Sequence, residues 1–99
     1  MIKHIVSWNY KEGLLKEENY NIAKKVKADL EALKDKIEGI KFLEVIIDPI
    51  ESCTADVILV SEFESMKELN YYQVHEEHIK VGKFIRENLT NRQCIDYEF

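Results

Sequence analysis

The stretch Phe63–His78 reads FESMKELNYYQVHEEH and holds two of the three histidines and two of the five tyrosines of the chain. Ser65 and Glu68 have the spacing of a capping box, in which the two side chains satisfy backbone amides at the start of a helix. The stretch therefore predicts a helix that begins near Met66.

This predicted helix is interrupted close to its end. Apolar residues recur every three positions as far as Tyr72, and a new apolar rhythm starts only after His75. The break predicts a kink and a second helix that begins near Glu76, with His75 and His78 at its N-terminus. The exposed amides and the dipole of a helix start favour neutral imidazole, which can accept a proton. We therefore expect any chemical site to lie here.

The regions on either side of this stretch supply the rest of the fold. Residues 2–10 alternate with a period of two, which predicts a strand that places His4 and Trp8 on its more apolar face. An apolar stripe between Ile22 and Ile37 predicts an amphipathic helix of about 20 residues. Gly39 stands where a left-handed helix cap is expected. Further strands are predicted at residues 40–48, 55–63 and 91–99.

The resulting order is βαββαβ, which predicts an α+β, ferredoxin-like protomer with both helical segments on one face of a four-stranded antiparallel sheet. The chain has one proline, three glycines and no composition shift, so residues 1–99 are expected to form a single domain. Strands two and three carry large apolar residues on both faces, whereas the helices can cover only one. A homodimer in which two sheets pack into an α/β barrel would cover the other.

Composition excludes several classes of partner. The net charge of −5 and the mixing of lysines with acidic residues argue against a nucleic-acid-binding protein. No apolar run is long enough to span a bilayer and no signal peptide is recognisable, so we expect no membrane partner and a cytoplasmic location. Cys53 and Cys94 lie outside any CxxC pattern and are expected to be free thiols.

Four segments together resemble the stress-responsive dimeric α/β barrel (Dabb) domain family over essentially the whole chain. The segments are Ile2–Trp8 (IKHIVSW), Val60–Ser65 (VSEFES), Tyr72–His78 (YQVHEEH) and Ile95–Phe99 (IDYEF). The resemblance implies a ferredoxin-like protomer and a dimeric barrel, in agreement with the distribution of apolar residues.

The resemblance also implies a candidate site. A plant polyketide cyclase of this family has a pocket between helix and sheet that is similar at His4, Tyr72 and His78. By that similarity His78 is the expected base, assisted by Tyr72 and His4. Val57 occupies a position where the cyclase has another histidine. His75, Trp8 and Val57 are the expected ligand-binding residues.

Two functions follow as alternatives. The first is a stress-associated dimer that binds a small hydrophobic ligand without assigned turnover. The second is a cofactor-independent enzyme of the cyclase, lyase or isomerase type. His75 and His78 lack the spacing of known helical metal sites, so no metal is expected. No cofactor is predicted either, although haem, which oxygenases of this barrel superfamily use, stays open as a ligand with His75 and His78 as axial candidates. A purely structural role for the three histidines and Tyr72, as hydrogen-bonded anchors of the kinked helix, stays open.

Overall fold

The computed structural model describes all 99 residues and has the predicted order of elements, with boundaries close to those expected. One 3-10 turn, Ala32–Asp35, extends the first helix, so the two together match the predicted length. The strands are β1 (Ile2–Tyr10), β2 (Ile40–Ile46), β3 (Val57–Phe63) and β4 (Leu89–Glu98), and the helices are α1 (Lys16–Glu31), α2 (Met66–Val74) and α3 (Glu76–Asn88).

The four strands form one antiparallel sheet in the order β2-β3-β1-β4. This is the ferredoxin-like arrangement predicted from the sequence. β1 and β3 are the central strands, and β4 pairs with β1 at one edge. β4 begins at Leu89, two residues earlier than predicted, because α3 runs into it without a loop.

The junction between α2 and α3 is the predicted kink at His75. This residue is extended, with φ −65° and ψ 137°, and its Nδ1 accepts a hydrogen bond from the Glu77 backbone amide at 3.0 Å. At the start of α2, the Ser65 hydroxyl accepts from the Lys67 amide at 3.2 Å and donates to the Glu68 carboxylate. Both helix starts are therefore capped by side chains. The sequence predicted the cap at Ser65, and it placed His75 at the start of the second helix without a capping role.

The core lies between the helices and one face of the sheet. Alternate residues of β1 and β3 point into it, and the polar exceptions are His4 and Ser61, whose hydroxyl donates to the His4 carbonyl at 2.8 Å. Seventeen buried hydrophobic residues form one cluster that draws on every helix and strand and includes Trp8, Val26, Leu43, Leu59, Phe63, Leu69, Tyr72, Ile85 and Leu89.

The opposite side of the sheet, called the open face below, carries no helix. Strand pairing and alternation assign to it Ile5, Phe42, Ile46, Ile58, Val60, Ile95, Tyr97 and Phe99. Phe42, Ile95, Tyr97 and Phe99 are exposed in the single chain. The prediction that strands two and three are apolar on both sides is thus confirmed.

Two further expectations concern the chain as a whole. Cys53 and Cys94 are both free thiols, as predicted. None of the three helices has the length and apolarity that crossing a bilayer would require.

Candidate functional site

A cavity of about 290 Å³ lies between the helices and the covered face of the sheet. This volume is at the lower end of the range for small-molecule sites. Apolar side chains form about half of the wall, and the remainder includes two imidazoles, one amide and two guanidinium groups. The lining residues are His4, Val6, Trp8, Leu30, Leu59, Gln73, His78, Gly82, Ile85, Arg86 and Arg92.

His4 reaches the cavity from the centre of β1. Its Nδ1 lies 2.5 Å from an oxygen of Asp96, its direct partner across the β1–β4 pair. An ionised carboxylate only accepts hydrogen bonds, so Nδ1 carries the proton. In the neutral ring Nε2 then holds the lone pair, and no group of the chain bonds it. Asp96 thereby fixes the tautomer and orientation of a histidine whose side chain is only 3% exposed.

His78 enters the same cavity from the first turn of α3. Its Nδ1 lies 3.1 Å from the backbone carbonyl of Gln73, and because a carbonyl accepts, Nδ1 is again the donor. Burial lowers the pKa of His78, the bond to Gln73 opposes this, and the charges of His4, Arg92 and Arg86 lower it further. The ring is therefore neutral at neutral pH, with Nε2 free to accept a proton or a hydrogen bond.

Tyr72 lies behind this wall rather than on it. Its ring is fully buried, with its centroid 4.4 Å from that of His78 and 6.3 Å from that of His4. Its hydroxyl is buried without a hydrogen-bond partner, and burial raises the pKa of Tyr72. The sequence grouped these three residues correctly in space, but the Tyr72 hydroxyl does not face the cavity.

The three residues predicted to bind a ligand occupy different positions. Trp8 lines the cavity, two residues beyond Val6 on the same face of β1. Val57 pairs with Trp8 across β1 and β3 but is completely buried in the core outside the cavity wall. His75 is also outside, where it caps α3 and its ring packs against Tyr71 at a centroid distance of 5.6 Å.

Arg86 and Arg92 are cavity residues that sequence reasoning missed. Arg86 lies near the end of α3, and Arg92 lies in a bulge of β4. There Asn91 and Arg92 stand opposite the single residue Trp8, and Asn91 has φ 54°. The available sequence indication was the asparagine within the predicted strand, since asparagine tolerates a positive φ better than most residues.

One cluster at the edge of the cavity has metal-ligand character. Single atoms of His4, Cys94 and Asp96 lie within 4.8 Å of one another. Nδ1 of His4 is already bonded to Asp96, and burial, followed by the nearby Asp96 charge, raises the pKa of the Cys94 thiol. A cation would have to displace that proton and break that bond, so the cluster fits a hydrogen-bonded role better than a metal centre.

Comparison with known proteins identifies the family. The family model described as "Stress responsive A/B Barrel Domain" matches residues 2–99. The chain belongs to this family. No curated protein matches the sequence.

Solved structures of this Dabb chain's relatives agree with the fold. A dimeric protein of unknown function with a ferredoxin-like fold from Bacteroides fragilis is 34% identical, with a TM-score of 0.91 over 99% of this chain and 95% of that one. A Dabb family protein from Mesorhizobium loti is 20% identical, with a TM-score of 0.72 over 99% and 95% of the two chains. The hydroxynitrile lyase of Passiflora edulis is 16% identical, with a TM-score of 0.78 over 97% and 90%, and shows a shared fold alone.

Proposed function

We propose that this Dabb chain forms a homodimer, each protomer of which binds a small molecule with an apolar body in the cavity between helices and sheet. The observation that carries the binding proposal is the cavity itself. Its walls are apolar at Val6, Trp8 and Leu59, while the free ring nitrogens of His4 and His78 supply the polar contacts that fix orientation.

The dimer rests on the open face and on the relatives. Exposed aromatic and aliphatic side chains on one side of a sheet favour association, because covering them removes apolar surface from water. The Bacteroides fragilis protein, which is 34% identical, is described as dimeric. A cytoplasmic location and a role in the stress response, which the family resemblance suggests, form part of the same proposal.

A ligand screen tests binding directly. Thermal-shift measurements with a panel of small apolar acids, amides and ketones should find compounds that raise the melting temperature of the wild type but not of His78→Ala. Lys83→Ala is the matched control, because Lys83 is exposed on the same helix and outside the cavity. Two results would contradict a ligand site here. Either every active compound stabilises the wild type, His78→Ala and Lys83→Ala equally, or no compound stabilises the wild type.

A second candidate is a cofactor-independent enzyme of the cyclase, lyase or isomerase type. The observation that favours it is that burial keeps His78 neutral and Gln73 holds its Nδ1 proton, so that Nε2 is placed to remove a proton next to a carbonyl. His4, oriented by Asp96, is a second acceptor on the same wall. Tyr72 supports the His78 ring from behind and remains a predicted participant through that contact.

Hydrogen exchange separates the two candidates. In D₂O, a carbonyl compound that binds in the screen should lose its α-proton signal in the NMR spectrum with wild-type protein and much more slowly with His78→Gln. A compound that binds without exchange of its α-proton would support the ligand-binding function and contradict the enzymatic candidate.

A further inference from the structure

We infer that the ligand of this cavity is a small organic anion, with an apolar body among the inner side chains and a carboxylate bound by Arg86 and Arg92. This inference deepens the proposed function and rests on it. Both arginines line the cavity that contains His4 and His78.

The two guanidinium groups have no acidic partner within the chain. Neither forms a salt bridge, although the chain has 19 acidic residues and only 14 basic ones, and Arg92 has only the Cys94 thiol close enough to lower that thiol's pKa through a side-chain contact. Five lysines, in contrast, pair with a carboxylate. The protein has a net charge of −5, so two arginines without a carboxylate partner at one cavity form a positively charged patch on an otherwise negative protein.

Local structure directs both side chains towards the cavity. The Arg86 side chain folds back along α3 and passes over Gly82, which has no side chain. A Cβ added at Gly82 would lie 3.2 Å from Nη1 of Arg86. Arg92 is held by the β4 bulge, where the Asn91 side chain donates to Oδ1 of Asn9 at 2.7 Å. Both backbone positions are thus fixed before any ligand arrives.

The charges of both arginines act on His78 in the cavity wall. Arg92 and Arg86 each lower the pKa of His78, which places them within electrostatic reach of its ring. A neutral ligand would leave these two exposed cations compensated by solvent alone. A carboxylate would neutralise them, and the planar fork of arginine matches its two oxygens.

The remaining wall determines the rest of the ligand. Val6, Trp8, Leu59 and Ile85 require an apolar body, and 290 Å³ limits it to a compact one. The free Nε2 atoms of His4 and His78 accept hydrogen bonds, so a hydroxyl or an acidic C–H group at the inner end would be recognised. A phosphate ester shares the anionic chemistry and is distinguished by the test.

Matched probes test the inference by calorimetry with the intact protein. Hexanoate and benzoate should bind at least about tenfold more tightly than hexanamide and benzamide, and raising the salt concentration should weaken only the acids. Arg86→Gln and Arg92→Gln should each reduce acid affinity by about tenfold and leave amide affinity unchanged. Lys80→Gln and Lys83→Gln, exposed on the same helix, should change neither.

The outcomes separate the two levels of the proposal. Equal binding of acids and amides, lost in His78→Ala, would overturn the anion inference and leave a neutral-ligand site. Tighter binding of phenyl phosphate than of benzoate would overturn the carboxylate in favour of a phosphate ligand. If no probe and no compound of the wider screen bound, both the ligand site and the anionic ligand would be contradicted. Circular dichroism and melting temperatures would verify that the arginine variants, both altered at exposed positions, are folded.

Discussion

His4 and Asp96 are directly paired across β1 and β4, and their side chains are joined by a hydrogen bond of 2.5 Å between Nδ1 and the carboxylate. One end of this bond is buried and the other is 39% exposed. The pair therefore connects a histidine of the covered core to the edge strand, and it sets which ring nitrogen faces the cavity.

Removal of this carboxylate should loosen the edge strand. We expect Asp96→Ala to lower the free energy of unfolding by about 1 kcal/mol, since a half-exposed hydrogen bond to a charged group is worth less than a buried one. Urea denaturation measures this, and ¹⁵N shifts of the His4 ring should report mixed tautomers. Glu98→Ala, an exposed substitution on the same face of β4, is the control. Equal losses in the two variants would contradict a specific role for the pair.

The stability of the protein should depend on pH through His78. Burial, with the charges of His4, Arg92 and Arg86, lowers the folded-state pKa below the ordinary value of 6.5. Between the two pKa values the unfolded chain binds more protons than the folded chain, so stability rises with pH in this window. The contribution is complete above about pH 6.5 and is lost as the pH falls through the folded-state pKa.

Comparison with His78→Gln isolates this effect. Glutamine can still donate to the Gln73 carbonyl but does not titrate. Denaturation midpoints between pH 5 and 8 should therefore fall less steeply on acidification in the variant than in the wild type. Parallel curves for the two proteins would show that His78 does not titrate in the way its burial implies.

The hydroxyl of Tyr72 should be dispensable for folding. It is buried and has no partner, so Tyr72→Phe should leave stability unchanged or raise it by up to about 1 kcal/mol. Tyr72→Ala, in contrast, should cost about 3–5 kcal/mol because the ring packs against His78 and Phe63. Chemical denaturation distinguishes the two. A large loss in Tyr72→Phe would mean that the hydroxyl is bonded in solution.

The open face should hold the proposed dimer together. Tyr97 is 47% exposed in the single chain and stands opposite Lys3 on this face. A charge placed there would be buried in the interface, so Tyr97→Asp should shift sedimentation towards the monomer. Tyr20→Asp is a matched control, because Tyr20 is 50% exposed on α1, on the other side of the sheet. An intact dimer in Tyr97→Asp would place the contact elsewhere.

Two glycines should respond in opposite ways to alanine. Gly39 has φ 95° and its added Cβ would lie 3.1 Å from Cγ of Glu68, so Gly39→Ala should cost roughly 1–2 kcal/mol. Gly82 is inside α3 without a positive φ, and its added Cβ would meet only the far end of the exposed Arg86 side chain at 3.2 Å, which can shift. Gly82→Ala should therefore be neutral or stabilising by up to about 1 kcal/mol. Melting temperatures measure both. The same sign for both substitutions would contradict this assignment of backbone strain.

Local pattern sufficed for most of the fold. The alternation of residues 2–10, the capping residues at Ser65 and the break at His75 are each set by neighbours in the chain, and the structure confirms all three. The βαββαβ order and the apolar character of both faces of β3 also follow from periods of two and about four residues.

The composition of the cavity depended on contacts between distant residues. Of the predicted site residues, His4, Trp8 and His78 line the cavity, whereas Tyr72, His75 and Val57 lie outside it. Three polar lining residues were not predicted: Gln73, Arg86 and Arg92. The bond from His4 to Asp96 spans 92 positions, and Arg92 reaches the cavity through its place opposite Trp8 in the β1–β4 pair, next to a bulge. Helix and strand periods are local properties of the chain and can be read from neighbouring residues. Strand register, and whether a side chain lines the cavity or lies behind its wall, are fixed only when the elements pack.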